Sequence, residues 1–402
     1  MSFLIAVLGL GFIVLIHELG HFGASLVLGM RPRKLYLGFP PAIVKWTRHG
    51  IEYGIGAIPL GGFVKIPGMH RPAPADVDAQ LGRAVGEAPA LAGPADRLRR
   101  LLASGDHVAA RESAAALQAL VAARSLTEPA RRSAEKGLAE IEDALGPDAY
   151  WRAATWKRVI VIAAGPLANV VLTIVLLIVL FSMSGGPVTT RVADVTPGSP
   201  AAHAGLRHGD QILEIDGRTV TSSDISKRIR ESHGRPLTVT VLRDKRRVLL
   251  GPVAPHLLEG VYRLGFALRG TGLPLPAATS TAFRVTGAVT RDIFATIGHL
   301  ATGKGRNQIS SPVGIVQGSS EAVKQGADSY LWVLALISLS IALLNLLPLL
   351  PLDGGRIAFA VVEGIRGRAV AREVYERVSV VGIALVLLLF VIGLSNDIPN
   401  IS

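Results

Sequence analysis

Four long apolar runs are the feature of this sequence that most restricts its fold. They cover roughly Phe3 to Leu28, Val159 to Met183, Leu331 to Leu350 and Val378 to Leu394. Each approaches the roughly 20 residues that a helix needs to cross the hydrocarbon core of a bilayer. The runs therefore predict a polytopic α-helical membrane protein with about four transmembrane helices. We expect the first run to stay attached, because it lacks the basic start and the small-residue cleavage site of a signal peptide.

Composition agrees with a membrane protein and excludes several kinds of site. Half of the 402 residues are hydrophobic and the mean hydropathy is +0.43, which is high for a soluble domain of this length. The net charge is +12, but lysine and arginine are scattered rather than clustered or interleaved with aromatic residues, so a membrane surface explains them better than nucleic acid. The chain has no cysteine, which excludes disulfides, thiol catalysis and cysteine-based zinc sites.

Basic residues beside the apolar runs predict the orientation in the membrane. Lys157 and Arg158 precede the second run, and a short basic linker separates the third run from the fourth. Arg31, Arg33 and Lys34 follow the first run. Short flanks rich in lysine and arginine stay in the cytoplasm. Both termini are therefore expected on the extracytoplasmic side.

The segments between the runs differ in character. Residues 30–71 are rich in glycine and aromatic side chains, and their alternating small and apolar residues predict short strands or a membrane-associated re-entrant hairpin. Residues 72–150 are rich in alanine, glutamate and arginine and predict a soluble, cytoplasmic helical insert with helices near 108–124 and 130–145, although the part from 71 to 95 is equally compatible with disorder. The expected division places transmembrane helices at 1–29, 157–183, 329–353 and 374–395, a β-rich domain at 188–270 and a juxtamembrane linker at 271–328.

Residues 188–270 follow the order of a small α+β domain. A Gly-Leu-x-x-Gly-Asp run at Gly205–Asp210 precedes an apolar strand and an Asp-Gly turn, and a polar helix near 222–232 and a strand at 237–242 follow. This order resembles a bacterial PDZ domain, expected on the extracytoplasmic side, which either binds peptide termini or filters substrates by size. The resemblance implies that backbone amides capture a peptide carboxylate at Leu264, Gly265 and Phe266. An ordinary strand is the alternative for this apolar-Gly-apolar triplet.

The pentapeptide His17-Glu18-Leu19-Gly20-His21 has the spacing of a zinc site. Residues four apart lie on one face of a helix, so His17 and His21 can bind one Zn²⁺ while Glu18 lies beside it as the general base. The pentapeptide lies within an apolar run, where ionisable side chains are costly and rare unless they have a function. The alternative is that these polar residues only join transmembrane helices, which does not require a glutamate between two histidines.

Asp353 is the candidate for a third zinc ligand, since a catalytic zinc site has three protein ligands and one open position. It follows the third apolar run, where Pro348 and Pro351 cannot continue a regular helix and Gly354-Gly355 permits a sharp turn. At about 1.5 Å per residue, His17 lies roughly 24 Å from the chain start and Asp353 roughly 33 Å from the start of the third run. The first and third runs cross in the same direction, so both positions are expected toward the cytoplasmic side.

Together these motifs resemble the bacterial site-2 protease family of intramembrane zinc metalloproteases, of the regulator-of-sigma-E-protease type. The resemblance rests on the pentapeptide, the Asn345–Gly355 run, the glycine-rich stretch Gly56–Val64, the residues between Trp156 and Asn169, and the PDZ-like domain. It implies metal ligands at His17, His21 and Asp353 and a base at Glu18. It also implies that the substrate is bound by Asn345 and by the hairpin residues Gly56, Ala57, Ile58, Gly61, Gly62, Phe63 and Val64.

The family resemblance implies regulated intramembrane proteolysis in the bacterial inner membrane. The expected partners are the lipid bilayer and a single-pass membrane substrate, either an anti-sigma factor or a remnant signal peptide, with no nucleic acid. The insert at 72–150 and the single PDZ-like domain, where some relatives have two, depart from the family pattern. The alternatives are a non-catalytic membrane-anchored PDZ scaffold and a metal transporter. A transporter more often repeats ionisable residues along several spans, and the second and fourth runs have none in their centres.

Overall fold

The computed structural model of the protein describes residues 1–258, 260–301, 311–370 and 372–397. Contacts between residues divide the chain into two compact units. The first unit contains Met1–Gly9, Val171–Ser340 and Phe390–Ser402, and the second contains Leu10–Val170 and Ile341–Leu389. The pentapeptide, the predicted hairpin, the predicted insert and Asp353 all belong to the second unit.

Helix α1 (Ser2–Val27) leads into two long strands, β1 (Lys34–Arg48) and β2 (Ile51–Lys65). Both strands bend, so that Lys34–Leu37 pair with Glu52–Ile55 on one side and with Gly62–Lys65 on the other. The bends lie next to Gly38 and Gly61, whose φ angles of +85° and +110° are ones that other residues rarely adopt. In the described part of the chain, no further strand pairs with the outer side of Gly62–Lys65. We call Gly62–Lys65 the edge segment.

Four helices with a hydrophobic core of their own form the insert that follows the hairpin. The helices α4 and α5 confirm the two that the sequence predicts near 108–124 and 130–145. Residues 74–87 form a helix rather than the disordered alternative, because Val77, Leu81 and Ala84 recur at helical spacing and bury one face. The four helices are α2 (Pro74–Glu87), α3 (Ala92–Ser104), α4 (His107–Ala122) and α5 (Glu128–Ala144).

Helix α6 (Thr155–Ser184) leads into a β-rich domain of the first unit. The strands of its main sheet are antiparallel, in the order β10-β3-β4-β6-β7, and β10 is an edge strand. The predicted polar helix and the strand after it are confirmed as α8 and β6. The elements are β3 (Val188–Val195), α7 (Pro200–His203), β4 (Gln211–Ile215), β5 (Arg218–Thr219), α8 (Ser222–Glu231), β6 (Leu237–Arg243), β7 (Arg246–Val253), β8 (His256–Leu258), β9 (Val261–Arg263) and β10 (Phe266–Gly270).

A buried ion pair holds the Gly-Asp end of the Gly205–Asp210 run in this domain. Asp210 is 2% exposed, and Arg243 donates to its two carboxylate oxygens at 2.8 and 2.7 Å. Burial raises the pKa of the Asp210 carboxyl, but hydrogen bonds from Arg243 and from the Arg207 N–H outweigh burial and hold this pKa below its usual value. The aspartate of this run therefore serves the fold of the domain.

Five helices complete the described chain: α9 (Leu275–Ala301), α10 (Pro312–Gln325), α11 (Ala327–Asn345), α12 (Asp353–Arg366) and α13 (Arg372–Asp397). Among the described residues, four helices are long and apolar enough to cross a membrane, namely Ser2–Val27, Thr155–Ser184, Ala327–Asn345 and Val374–Asp397. They overlap the four predicted spans and fit a polytopic membrane protein.

Two details of this C-terminal part differ from the sequence prediction. The third spanning helix was expected to reach residue 353, but α11 ends at Asn345 and Asp353 begins α12 instead. Pro348 and Pro351 lie between the two helices, and neither residue has the N–H that a continuous helix needs. The segment 271–328, expected as a linker, contains helices α9 and α10.

Candidate metal centre and active site

The structure brings His17, His21 and Asp353 together at one point of the second unit. The Nε2 atoms of the two histidines lie 3.3 Å apart, and each lies 3.2 Å from Asp353 Oδ2. The three side chains are buried, with exposed fractions of 7–8%. Among the described residues, these three form a group whose ligand atoms lie close enough together to hold a metal ion.

The spacing of these three atoms fits zinc. With Zn–N and Zn–O bonds of about 2.0–2.1 Å, neighbouring ligands in a tetrahedral site lie about 3.3 Å apart. The observed separations of 3.2 to 3.3 Å therefore match one face of such a tetrahedron. A zinc ion held by these three residues would keep a fourth coordination position for a reactant, as in catalytic zinc sites.

Neighbouring polar groups orient both imidazole rings. His21 Nδ1 lies 2.9 Å from the Val161 carbonyl oxygen, which accepts its proton and leaves the Nε2 lone pair for the metal. The side-chain amide of Asn169 lies 3.5 Å from His17 Nδ1 and is fully buried. Neither Asn169 nor Val161 was predicted from the sequence to have a role at this site. An amide side chain inside an otherwise apolar run was the available signal for Asn169, whereas a backbone carbonyl leaves no trace in sequence.

Two glycines allow α1 and α6 to approach closely at the metal ligands. A Cβ atom at Gly165 would overlap His21 Nε2, and one at Gly20 would overlap the Ala164 carbonyl oxygen. Both overlaps involve atoms that cannot move aside without displacing a ligand or a helix. The absence of a side chain at Gly165 therefore leaves the space that the His21 ring occupies.

Gly165→Ala is expected to lower the zinc affinity of the purified protein by at least about tenfold, the range found when the surroundings of metal ligands are altered. The added methyl group would displace His21 Nε2 from its position beside Asp353. Gly23→Ala is the matched control, because a Cβ at Gly23 on α1 meets nothing within 4 Å. Zinc content measured per mole of detergent-purified protein distinguishes the two variants, and equal contents would contradict this steric argument.

The turn between α11 and α12 sets the position of Asp353. Gly354 and Gly355 lie against the backbone of the preceding turn, where Cβ atoms would overlap the Leu346 carbonyl oxygen and come within 2.5 Å of the Leu350 nitrogen. Asp353 occupies the first turn of α12, where the helix dipole favours a carboxylate. The glycine pair that the sequence marks as a sharp turn is therefore a site of close packing that fixes the position of Asp353.

A cavity of about 950 Å³ opens from the three ligands. Its wall includes Glu18, Asn345 and the hairpin residues Gly61–Val64. Gly62 lies against the glutamate, since a Cβ on Gly62 would be 2.9 Å from Glu18 Cγ. The structure thus brings together the predicted ligands, base and asparagine with four of the seven predicted hairpin residues. Gly56, Ala57 and Ile58 do not line this cavity, because Gly56 lies further along the hairpin against the backbone of Gly38 and Phe39.

Tyr36 supports the edge segment from the inner side of the hairpin. Its ring stacks on Phe63 with centroids 5.1 Å apart, and its hydroxyl donates to Glu52 Oε1 at 2.6 Å. The stacked ring and the hydrogen bond to Glu52 together hold Tyr36 against the edge segment.

The predicted PDZ triplet borders a groove of about 920 Å³ between β10 and α8. Gly265 has φ of +81°, and a Cβ there would overlap Ser199. Leu264 is 3% exposed and belongs to the core of the domain, and its carbonyl accepts the Ala201 N–H at 2.8 Å. Phe266 begins the edge strand β10. The triplet therefore combines a glycine turn with a strand edge that no described strand pairs with, beside a groove.

The described residues combine the features of a membrane zinc peptidase. These features are a buried His-His-Asp triad with zinc spacing, a glutamate in the same cavity and four helices that can span a bilayer. The model of Peptidase family M50 matches residues 5–389, and the chain belongs to this family.

Relatives align over nearly the whole chain. Zinc metalloprotease RasP of Bacillus licheniformis is 28% identical over 97% of this chain and 97% of its own length. Regulator of sigma-W protease RasP of Bacillus subtilis is 27% identical over 97% of this chain and 96% of its own length. A protein of Agrobacterium fabrum, provisionally named a zinc metalloprotease, is 30% identical over 98% of this chain and 95% of its own length. The protein is thus a zinc-dependent metalloendopeptidase of the site-2 protease family.

Proposed function

We propose that this protein cuts single-pass transmembrane proteins within the bilayer, with zinc held by His17, His21 and Asp353 and with Glu18 as the general base. The observation that carries the proposal is the set of 3.2 to 3.3 Å separations among the three ligand atoms. Glu18 and the edge segment face the same cavity, so a base and a strand edge are both available where a scissile bond would lie.

The chain's own residues divide the chemistry of peptide hydrolysis between them. Zinc, when bound, supplies a Lewis acid that polarises the scissile carbonyl and makes water more acidic. The Glu18 carboxylate accepts a proton from the attacking water and delivers it to the leaving nitrogen. The Asn345 side-chain amide donates a hydrogen bond to the substrate carbonyl oxygen as negative charge develops on it. His21 keeps its proton on Nδ1 because the Val161 carbonyl accepts it.

A transmembrane substrate has to unwind before it can be cut, since its carbonyl groups are engaged within its helix. The edge segment supports a route to the extended form, because its outer side can pair with a substrate strand by strand addition. Membrane placement of the hairpin agrees with its exposed apolar side chains, which include Phe39, Ile43 and Trp46. The hairpin is accordingly proposed as the re-entrant, substrate-binding element, with Gly61–Val64 nearest to the cut.

The remaining assignments concern location and the β-rich domain. We place the protein in the bacterial inner membrane, with both termini and residues 188–270 outside the cytoplasm and the four-helix insert inside it. The proposed substrate is an anti-sigma factor or a remnant signal peptide, and the name of the Bacillus subtilis relative supports the first class. Residues 188–270 are proposed as a PDZ domain, supported by the groove between β10 and α8. Membership of family M50 favours neither a scaffold nor a transporter.

The test of the proposed function is the position of the cut. Purified protein with zinc is combined in liposomes with candidate single-pass proteins, and the new fragment ends are sequenced. Ends inside the apolar span of the substrate are expected. Ends confined to the water-exposed flanks would show a membrane-bound peptidase that does not cut within the bilayer.

Deletion of the β-rich domain is expected to separate recognition from catalysis. None of the three metal ligands comes from residues 190–270, and that domain has its own core. Replacement of 190–270 by a flexible linker should leave zinc content unchanged. If the domain filters by size, the deletion variant should also cut a full-length substrate that the intact enzyme cuts only after its outer domain is removed.

Matched full-length and pre-trimmed substrates, compared for both enzymes in the same membranes, provide the measurement. An unchanged preference for the trimmed form would exclude a size filter and leave docking as the role of the domain. Loss of zinc in the deletion variant would contradict the separation of the two functions.

A further inference from the structure

The edge segment is fixed at both ends, and the two anchors differ. At the first end, Gly62 packs on Glu18, because a Cβ atom placed on Gly62 would lie 2.9 Å from Glu18 Cγ. This contact ties the start of the edge segment to the proposed base. A substrate strand added to the edge therefore has a defined point of approach to the reacting groups, and this part of the inference rests on the proposed function.

At the second end, the strand edge is closed by the chain that leaves the insert. The Tyr150 N–H donates to the Pro67 carbonyl at 2.9 Å, and the Trp151 N–H donates to the Gly68 carbonyl at 3.1 Å. These carbonyls lie two and three residues after Lys65. Because both already accept backbone hydrogen bonds, a substrate strand cannot extend its pairing to them.

Arg33 joins the inner side of the edge to the insert. Its backbone N–H donates to the Lys65 carbonyl at 2.7 Å. Its guanidinium donates to Asp143 at 2.8 Å and, through both terminal nitrogens, to Asp148 at 2.8 and 3.3 Å. Asp143 lies in the last turn of α5 and Asp148 in the loop after it. One residue thus hydrogen-bonds the end of the edge segment and two carboxylates of the insert, with the two-point geometry that makes arginine pairs specific.

The insert also forms part of the wall of the cavity that contains the metal ligands. Gln80 of α2 and Gly137, Glu140 and Ile141 of α5 line it together with the edge segment. Lys65, at the end of the edge segment, lies 3.6 Å from Glu140. A substrate that leaves the edge after Lys65 consequently meets the insert.

We propose that the four-helix insert sets the length and position of the substrate-binding edge. An extended substrate pairs with the four residues Gly62–Lys65 and no further, and the insert determines which substrate bond lies beside Glu18. Arg33 is a positioning residue in this arrangement, since it acts through the edge segment and does not reach the reacting atoms. The enzyme therefore pairs with only a short extended stretch of the substrate, on one side of the scissile bond.

The first experiment tests the position of the cut in Arg33→Met. Arg132→Met is the matched control, because Arg132 lies on helix α5 of the insert and forms an exposed ion pair with Glu128 of that helix. Fragments of one single-pass substrate are sequenced for wild type and both variants, alongside zinc content and kcat/KM. Wild type and control should cut at one bond. Arg33→Met should keep its zinc, cut at neighbouring bonds as well, and lose about tenfold in kcat/KM, since displacement by about 1 Å costs up to a hundredfold.

A merely structural role for Arg33 would reduce the amount of active enzyme without moving the cut. An unchanged single cleavage site in Arg33→Met therefore overturns the inference. If Arg33→Met does not accumulate in membranes, Asp148→Asn decides by the same readout, and Arg33→Lys should restore part of the fidelity by keeping the charge. Absence of any cut within the apolar span by the wild-type enzyme would count against the proposed function and is distinct from these outcomes.

The second experiment uses the unaltered enzyme and a substrate scanned with proline. Proline has no N–H to donate to a strand edge. Successive N–H groups of a strand face opposite sides, so proline should block cleavage at alternate positions within about four residues on one side of the cut. From about the sixth residue outward it should be tolerated. If proline also blocks cleavage at positions well beyond these, the insert does not limit the length of strand edge that pairs with the substrate.

Discussion

Glu18→Gln is expected to retain zinc and to lose peptide cleavage by about 10³-fold, within the range that general acid–base catalysis contributes. Glutamine has nearly the same shape as glutamate and leaves His17, His21 and Asp353 in place. It cannot take a proton from water or return one to the leaving nitrogen. The two measurements are zinc per mole of purified protein and the rate of fragment formation from a validated single-pass substrate.

Glu112→Gln supplies the control for this substitution, since Glu112 is exposed on α4 of the insert and lines no part of the metal cavity. It should cut at the wild-type rate. Turnover at a near-normal rate in Glu18→Gln would exclude Glu18 as the base. Loss of zinc together with activity would instead show that Glu18 helps to hold the metal.

Asp353→Ala is expected to weaken zinc binding by at least about a hundredfold. Activity should fall with the loss of bound zinc. Changes in the surroundings of metal ligands already cost 10 to 100-fold in affinity, and removal of a ligand should cost at least the upper value. The two histidines would also lose the carboxylate that lies 3.2 Å from both Nε2 atoms. Titration with a competing chelator measures the change in affinity.

Asp328→Ala is a suitable comparison, because Asp328 lies in the first turn of a helix as Asp353 does but is exposed. Its zinc affinity should equal that of wild type. Full zinc occupancy in Asp353→Ala at low free zinc would mean that the third ligand lies elsewhere. Partial rescue by Asp353→Glu would support direct ligation, since a longer carboxylate can still reach the metal.

The spanning helices and the candidate metal ligands His17 and His21 could be predicted because each depends on a short-range pattern. Helical spacing puts His17 and His21 on one face, and the cost of burying ionisable groups in an apolar run points to a function for them. Asp353 could be added from an independent segment by comparing depths in the membrane. The prolines that interrupt the third run argue against a regular helix as far as Asp353, although the expected bounds of the third span, 329–353, still included this residue.

Features that depend on tertiary approach could not be predicted from those patterns. The Val161 carbonyl orients His21 only because Gly20 and Gly165 let α1 and α6 come close. The pairing of Lys34–Leu37 with two different segments depends on bends in both strands. The sequence marks glycines at these bends but does not specify which segment becomes the outer edge. Similarly, α9 and α10 have mixed polar and small residues, so their segment was interpreted as a linker.

His21 and Asp353 meet although 332 positions separate them in the sequence. The insert and the β-rich domain both belong to the loop that this contact closes. The entropy of closing a loop grows only with the logarithm of its length, so doubling the loop costs about 0.6 kcal/mol. Whole domains can therefore be gained or lost within this loop at small thermodynamic cost to the metal centre. The same chemistry can accordingly be joined to different recognition modules without rebuilding the residues that perform it.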